Sequence, residues 1–273
     1  MTIGVCSWSL RPESPDELTD SVSACGLAAV QLALAPMLDG SWSAAETRRT
    51  LDDHGIAVLS TMLETKGEDY ATLDSIKRTG GLRPDEHWQA NLDAAKRAVE
   101  LVQEFGAHLV TFHAGFLPHD PSDPLRSVMT DRIRQVHDIF AEADIDIALE
   151  TGQESADTLR DLLEELDLPR LGVNFDPANM ILYDMGDPIE SLKALAPWVK
   201  QIHLKDAVRT TTPGQWGTEV PIGKGDVNWA DFFEVINAAE LEVDLCIERE
   251  AGEDRTADIH AGLAHLESLG VAL

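Results

Sequence analysis

Short apolar runs alternate along the chain with longer stretches in which apolar residues recur at helical spacing. The runs are five to eight residues long, which predicts buried strands, and the stretches between them predict amphipathic helices. A helical stretch follows each run, so the pattern repeats eight times. The eight runs are Ile3–Ser7, Ala28–Leu34, Ile56–Leu63, Ala107–His113, Ile145–Glu150, Leu171–Asp176, Val199–Leu204 and Val243–Glu248.

Capping residues mark where several of these helices begin. Ser14 precedes Pro15 and stands three residues before Glu17, which predicts an N-cap at Ser14 and a capping box closed by Glu17. Asp187 begins a second stretch of the same kind, and Asn228 is the predicted cap of a later helix. These signals fix the helix starts independently of the apolar pattern.

Eight strand–helix units are the number that closes a (β/α)8 barrel, and no linker or change in composition divides the chain. We therefore expect an α/β fold, a single TIM-barrel domain spanning residues 1–273. An open doubly wound sheet would usually carry a glycine-rich turn after its first strand, whereas Cys6–Leu10 contains no glycine. The inserts Glu64–Asp85 and Lys205–Gly225 are expected to be surface loops.

The net charge of -28 restricts the possible partners of the protein. Such a surface repels the phosphates of nucleic acids and anionic membranes, so we expect neither as a partner; an acidic patch for a basic partner remains the alternative. No segment approaches 18 apolar residues, and the first ten residues do not resemble a signal peptide. Together with three cysteines that lack metal-ligand spacing, this predicts a reduced, cytoplasmic protein.

The ends of strands five to eight carry the candidate chemistry. They deliver Glu150, Asp176, His203 and Glu248, and in a barrel the C-terminal strand ends form one rim. Three carboxylates at one rim repel each other, and a divalent cation removes that repulsion. Oxygen ligands with one imidazole suit manganese, magnesium, cobalt or zinc, and the absence of thiolates argues against structural zinc.

Each of these residues also has an ordinary structural interpretation. Glu150 alone fits a salt-bridge partner, Asp176 before a proline fits a loop cap, and His203 alone fits a core histidine. These structural interpretations explain poorly why all four residues stand at equivalent strand ends, so we predict one metal site.

Several stretches together resemble the xylose-isomerase-like TIM-barrel superfamily of sugar isomerases and epimerases, which also contains AP-endonuclease family 2 enzymes such as endonuclease IV. The resemblance covers the chain and is clearest from Ala107 onward. The matching stretches are Phe112–Gly115, Leu149–Gly152, Asn174–Asn179, Ile202–Asp206, Gly223–Trp229 and Ile247–Glu250.

Similarity to D-tagatose 3-epimerase-like members implies that Glu150, Asp176, His203 and Glu248 bind one manganese or similar ion. It also implies that Glu150 and Glu248 act as acid and base on opposite faces of the substrate. Arg209 stands at the spacing of a substrate-binding arginine in those enzymes. This chain departs from them at two positions, where Asn179 replaces a histidine and Ala156 replaces a substrate-binding glutamate.

Other rim residues are expected to bind substrate. His113 and Lys205 would orient it or protonate its oxygens, Asn179 would also bind it, and Trp8 and Trp216 would supply an apolar face for a sugar ring. Core packing or loop anchoring is the alternative role for these residues.

The expected function is a metal-dependent isomerase or epimerase that acts next to the carbonyl of a keto-sugar or keto-polyol through a metal-stabilised enediolate. A lyase on a related keto-sugar (a dehydratase, decarboxylase or 3-keto-glycoside eliminase) needs the same residues and is the alternative. A metal-dependent hydrolase and a catalytically inactive sugar-binding barrel are further alternatives. The expected partner is a small sugar or keto-polyol, and a homo-oligomer is compatible with the sequence.

Overall fold

A computed structural model describes residues 1–271; Ala272 and Leu273, the end of the expected domain, lie outside this range. Within it, eight parallel strands close a barrel in the order β1-β10-β7-β6-β5-β4-β3-β2, and β8 pairs with β9 in a separate antiparallel hairpin. The strands are β1 (Ile3–Cys6), β2 (Ala29–Ala33), β3 (Ala57–Met62), β4 (Leu109–Phe112), β5 (Asp146–Glu150), β6 (Leu171–Phe175), β7 (Val199–Leu204), β8 (Asp206–Val208), β9 (Thr218–Val220) and β10 (Asp244–Ile247).

Helices surround the barrel and bury one face against it. In the helix that follows β5, Leu159, Leu162 and Leu166 are buried at helical spacing, and this face packs on the strands. The helices are α1 (Pro15–Ala24), α2 (Ala35–Asp39), α3 (Ala44–Asp53), α4 (Leu73–Thr79), α5 (Asp85–Glu104), α6 (Pro124–Ala141), α7 (Ala156–Leu166), α8 (Pro177–Leu182), α9 (Pro188–Leu195), α10 (Trp229–Ala238) and α11 (Arg255–Ser268).

The expected (β/α)8 barrel is confirmed, and so are the predicted helix caps. The Ser14 hydroxyl accepts from the Glu17 N–H at 3.3 Å, and the Asp187 carboxylate accepts from two backbone N–H groups at the start of α9. The capping box is wrong in one detail, because the Glu17 carboxylate accepts from the N–H of Glu13 and not from that of Ser14. Within residues 1–271, no helix combines the length and the apolar character that crossing a membrane requires.

The expected loop Glu64–Asp85 is wrong in part, because it contains α4. The Thr72 hydroxyl accepts from the Ser75 N–H at 3.0 Å, and the Ser75 hydroxyl accepts from the Thr72 N–H at 2.9 Å. This capping box starts α4, and the fully buried Ile76 packs with Phe116 and Tyr183 in a small cluster apart from the main core. The insert is thereby fixed over the C-terminal end of the barrel.

The second expected loop, Lys205–Gly225, is also partly ordered, since it contains the hairpin of β8 and β9. The buried Asp206 carboxylate organises it by accepting from the backbone N–H groups of Gly223, Gly225 and Val227 and from the indole N–H of Trp229. A Cβ at Gly225 would overlap this carboxylate, which is why glycine stands there. The hairpin reaches over the same rim as the insert.

Candidate active site

Glu150, Asp176, His203 and Glu248 meet at the C-terminal rim, where one ligand atom from each lies within 4.8 Å of the others. The His203 Nδ1 atom lies 3.3 Å from Glu248 Oε2, 3.5 Å from Glu150 Oε1 and 3.8 Å from Asp176 Oδ2. All four residues are buried. Strand geometry brings them together, because each stands within one residue of the end of β5, β6, β7 or β10.

Two atoms of this cluster are buried without a hydrogen-bond partner among the described residues. Asp176 is the N-cap of α8, where its Oδ1 accepts from the Asn179 N–H at 2.9 Å, whereas Asp176 Oδ2 and His203 Nδ1 make no hydrogen bond. Unpaired buried polar atoms are costly, and a divalent cation would satisfy both. Three carboxylates and one imidazole are also a suitable ligand set for such an ion, so the residues present fit a metal.

His203 presents Nδ1 to the carboxylates because its other ring nitrogen, Nε2, contacts Gln31. His203 Nε2 lies 2.7 Å from Gln31 Oε1, which would accept a proton from this nitrogen, and 3.0 Å from Asn174 Nδ2. Gln31 Nε2 in turn donates to the Thr111 hydroxyl at 2.8 Å. The sequence alone assigns Gln31 no role, because its contact with a residue 172 positions away is set by barrel closure.

Glu248 is held in its ionised form. The Trp8 indole donates to Glu248 Oε1 at 2.6 Å, and the Lys205 ammonium donates to Glu248 Oε2 at 2.8 Å. Burial alone would raise the pKa of Glu248, but the charges of Lys205 and His203 outweigh it and hold that pKa well below its ordinary value. The Lys205 side chain also pairs with Glu250 at 2.7 Å.

Glu150 has a different set of neighbours. Asn179 donates to Glu150 Oε1 at 2.9 Å, and His113 Nε2 lies 3.6 Å from the same oxygen. Burial opposes ionisation of Glu150, yet His113 and His203 outweigh it, so its pKa is lowered. Burial raises the pKa of Asp176 to about 6, against the opposing effect of Lys205. The two glutamates thus face the same space with different hydrogen-bond donors.

A cavity of about 550 Å³ opens above the cluster. Five of the six residues predicted to bind substrate line it: Trp8, His113, Asn179, Lys205 and Trp216. The other lining residues are Ala33, Met62, Leu63, Glu64, Thr65, Glu68, Tyr70, Glu150, Leu182, Tyr183, Glu219, Glu248 and Glu250.

Arg209 is the exception. Its guanidinium pairs with the Asp184 carboxylate and donates to the Gly186 carbonyl, and it does not line the cavity. The structure therefore does not bring the predicted substrate arginine to the site. Glu154, the glutamate close to the position of Ala156, is buried but does not line the cavity either.

Sequence reasoning missed the contribution of the two inserts. Glu64, Glu68 and Tyr70 come from the insert before α5, and Glu219 comes from the hairpin. In the sequence, the spacing of Thr72 and Ser75, which form a capping box, was the feature that could have predicted order in the first insert. The three cysteines are free and buried, in agreement with the sequence. In residues 1–271, the two groups of potential metal ligands both include His203, so they describe one location.

A parallel eight-stranded barrel with a buried carboxylate–histidine cluster at the carboxyl ends of its strands defines a TIM-barrel protein with a candidate metal site. The family model of the xylose isomerase-like TIM barrel matches residues 20–269. The chain therefore belongs to the xylose isomerase-like TIM-barrel family.

Similar proteins of this family are known from several bacteria. A xylose isomerase domain protein from Planctomyces limnophilus has 32% identity and a TM-score of 0.84, covering 92% of this chain and 90% of that one. A 3-keto-D-glucoside 4-epimerase from E. coli has the same fold at 16% identity, with a TM-score of 0.74 over 98% of this chain and 99% of that one.

A curated 3-dehydroshikimate dehydratase from Bacillus anthracis is 34% identical over 134 residues, which are 43% of this chain and 47% of that protein. The chain spans less than half the length of the curated relatives it matches.

Proposed function

We propose that this chain is a divalent-metal-dependent isomerase or epimerase that acts next to the carbonyl of a keto-sugar or keto-polyol. The observation that carries the proposal is the pair of ionised glutamates, Glu150 and Glu248, that face one cavity above His203 and Asp176. Epimerisation next to a carbonyl requires a base that removes a proton and an acid that returns it. One carboxylate can remove the proton, and the other can return one after taking it up from a neighbouring donor.

The metal would be held by Glu150, Asp176, His203 and Glu248, the set whose unpaired atoms fit a cation. Manganese is our first choice, with magnesium, cobalt and zinc as alternatives. A bound divalent ion supplies Lewis-acid polarisation of the substrate carbonyl, which makes the neighbouring C–H more acidic.

The side chains of the chain itself move and position the proton. Lys205 and Trp8 donate to the two oxygens of Glu248, and the charge of Lys205 keeps it ionised, which is the form that can accept the α-proton. Glu150 is oriented by Asn179, and His113 Nε2 lies 3.6 Å from the same carboxylate oxygen, so a proton that Glu150 takes up from His113 or from solvent would be returned to the enediolate. Return to the other face of the same carbon would epimerise the substrate, and return to the neighbouring carbon would isomerise it. Trp8 and Trp216 supply apolar surface for the sugar.

A lyase is the second candidate, favoured by the segment shared with the 3-dehydroshikimate dehydratase. It would begin with the same proton abstraction, and the enediolate would then lose a β-leaving group. A hydrolase is a weaker candidate because two-metal sites are common in that class, whereas the ligand groups within residues 1–271 describe one location.

Deuterium incorporation tests the proposal. The protein, loaded with manganese, is incubated in deuterated water with ketoses, keto-inositols and 3-keto-glycosides, and deuterium is expected on the carbon next to the carbonyl. Glu248→Gln should lower exchange by roughly 10²–10⁴-fold, the usual contribution of a general base. Glu234→Gln, which changes an exposed glutamate on α10, is the matched control and should exchange normally.

One combination of results would contradict the enediolate mechanism. It is turnover of a substrate without α-exchange, without a primary isotope effect on α-deuterated substrate, and with Glu248→Gln fully active.

A further inference from the structure

We propose that this cavity selects an uncharged polyhydroxy ketone and rejects substrates that carry a phosphate or a carboxylate; the inference rests on the proposed function and narrows its substrate class. An anion would bind well only if a positive charge at the cavity were free to pair with it.

Lys205 is the single lysine or arginine among the described residues that line the cavity, and its charge is already matched. Its ammonium lies 2.8 Å from Glu248 Oε2 and 2.7 Å from Glu250 Oε2, and its side chain is only 4% exposed. An ammonium has three donors, and two of them are used by these carboxylates. A substrate anion would have to displace Glu248 or Glu250 to reach it.

The two arginines closest in sequence to the rim residues are also engaged elsewhere. Arg249 is buried and pairs with Glu219 at 2.6 Å and with Asp258 at 2.9 Å. Arg209 pairs with Asp184 away from the cavity. Arginine is the usual residue for bidentate recognition of phosphate and carboxylate, and neither guanidinium is available for it.

His113 adds no unpaired positive charge to the cavity. Its Nε2 atom lies 3.6 Å from Glu150 Oε1, so any positive charge on the imidazole is matched by that carboxylate. A bound divalent ion leaves no excess of positive charge either: together with Lys205 and His113 it would bring four positive charges, against the six carboxylates of Glu64, Glu68, Glu150, Asp176, Glu248 and Glu250.

Negative charge dominates the rest of the wall. Glu64 and Glu68 stand on the insert at the cavity, and burial together with repulsion by Glu68 raises the pKa of Glu64. Glu68 is fixed there, since its Oε1 accepts from the Gly81 N–H at 2.9 Å and its Oε2 accepts from the Tyr70 hydroxyl at 2.9 Å. Carboxylates accept hydrogen bonds from hydroxyl groups and repel anions. The wall therefore suits a neutral polyol.

Paired ligands that differ by one phosphate test the inference without requiring turnover. Trp8 and Trp216 line the cavity, so their fluorescence reports occupancy. Magnesium-loaded protein is titrated with myo-inositol and with myo-inositol 1-phosphate at low and high salt. We expect myo-inositol to bind and its phosphate to bind at least ~30-fold more weakly, with a gap that narrows as salt screens the repulsion. Equal or tighter binding of the phosphate, or no response to myo-inositol, would overturn the inference.

A charge-reversal variant tests the cause. Glu64→Lys places a free cation at the cavity and should improve binding of myo-inositol 1-phosphate by about 3- to 10-fold at low salt. Glu234→Lys makes the same change on the exposed face of α10 and should leave that affinity unchanged. If Glu64→Lys gains no affinity for the phosphate, repulsion at the cavity is not what excludes anions.

Exchange experiments separate this inference from the proposed function. D-fructose and D-fructose 6-phosphate are compared for deuterium incorporation. Exchange in the phosphate that matches or exceeds exchange in the free sugar overturns charge selection and leaves the enediolate proposal intact. If neither sugar exchanges while myo-inositol still binds better than its phosphate, charge selection stands and the result counts against the proposed chemistry.

Discussion

The two ring nitrogens of His203 face different groups in the candidate site. Nε2 faces Gln31, while Nδ1 faces three carboxylates and has no hydrogen-bond partner among the described residues. A histidine that binds a metal through one nitrogen is generally oriented through the other, and the orienting group affects metal affinity. Gln31 therefore acts as a positioning residue in this account.

Replacing Gln31 by leucine should weaken metal binding by about 10- to 100-fold, the usual effect of losing an orienting partner. The reason is that His203 would lose the acceptor that fixes its tautomer. Titration calorimetry with manganese measures the affinity directly. Ser60→Ala is the control, because Ser60 is the neighbour of Gln31 in β3 and its hydroxyl has no partner within residues 1–271. Equal affinities for Gln31→Leu and the wild type would remove Gln31 from the site.

Glu154 provides a prediction about pH. Burial raises its pKa to about 8, against the opposing charge of Arg126. The folded state then keeps a proton that the unfolded state has already released, so stability falls as pH rises from the ordinary glutamate pKa of about 4.5 toward 8.

Glu154→Gln should abolish this loss. At pH 8 the variant is expected to be more stable than the wild type by on the order of 4 kcal/mol, and near pH 4 the two should converge. Urea unfolding across this pH range measures the difference. Glu164→Gln, an exposed change on α7, should follow the wild type. Parallel profiles for Glu154→Gln and the wild type would show that Glu154 ionises normally.

The sequence predicted some site residues and missed others for a physical reason. Glu150, Asp176 and Glu248 follow apolar runs, and a barrel brings such strand ends to one rim. Gln31 could not be assigned, because its partner depends on how β2 faces β7 across the closed barrel. Arg209 has the spacing of a substrate residue, but spacing does not determine which way the hairpin directs its side chain.

Asp206 shows how one buried side chain fixes an element that has little apolar signal. Its carboxylate holds the turn from Gly223 to Trp229 against the start of β8. The strands of this hairpin are three residues long, so the sequence shows no alternation of apolar and polar residues that would predict them. α4 was missed for a similar reason, since a seven-residue helix between glycines offers few apolar positions.

Asp206→Asn should destabilise the protein by about 3 kcal/mol, because an amide nitrogen cannot accept and would leave buried N–H groups unpaired. Thermal and urea unfolding measure the loss. Asp53→Asn, an exposed change at the end of α3, should stay within about 0.5 kcal/mol of the wild type. If the two variants unfold alike, the carboxylate does not organise the hairpin.

The charge of the whole molecule limits its partners. A net charge of -28 opposes the approach of polyanions at low ionic strength. We expect no binding to duplex DNA or to DNA with an abasic site at micromolar protein, as measured by fluorescence anisotropy at low salt. Binding in that range would show that a local surface outweighs the overall charge and would favour the nuclease members of the superfamily.

The barrel as a whole was the most predictable feature, because each strand and helix repeats the same pattern and closure follows from the number of units. The cavity was less predictable, since its outer wall comes from the insert that carries Glu64 and Glu68 and from the hairpin that carries Glu219. These segments are ordered by individual polar contacts and not by apolar periodicity.

We propose that four strand ends hold one divalent ion, and metal analysis of protein purified without chelator, or reconstituted with manganese and then dialysed, measures that ion. We expect about one equivalent of metal per chain, strongly reduced occupancy in His203→Ala, and unchanged occupancy in His108→Ala, which alters an exposed histidine. Failure of the wild type to retain metal, or full retention by His203→Ala, would show that these residues do not form a metal site.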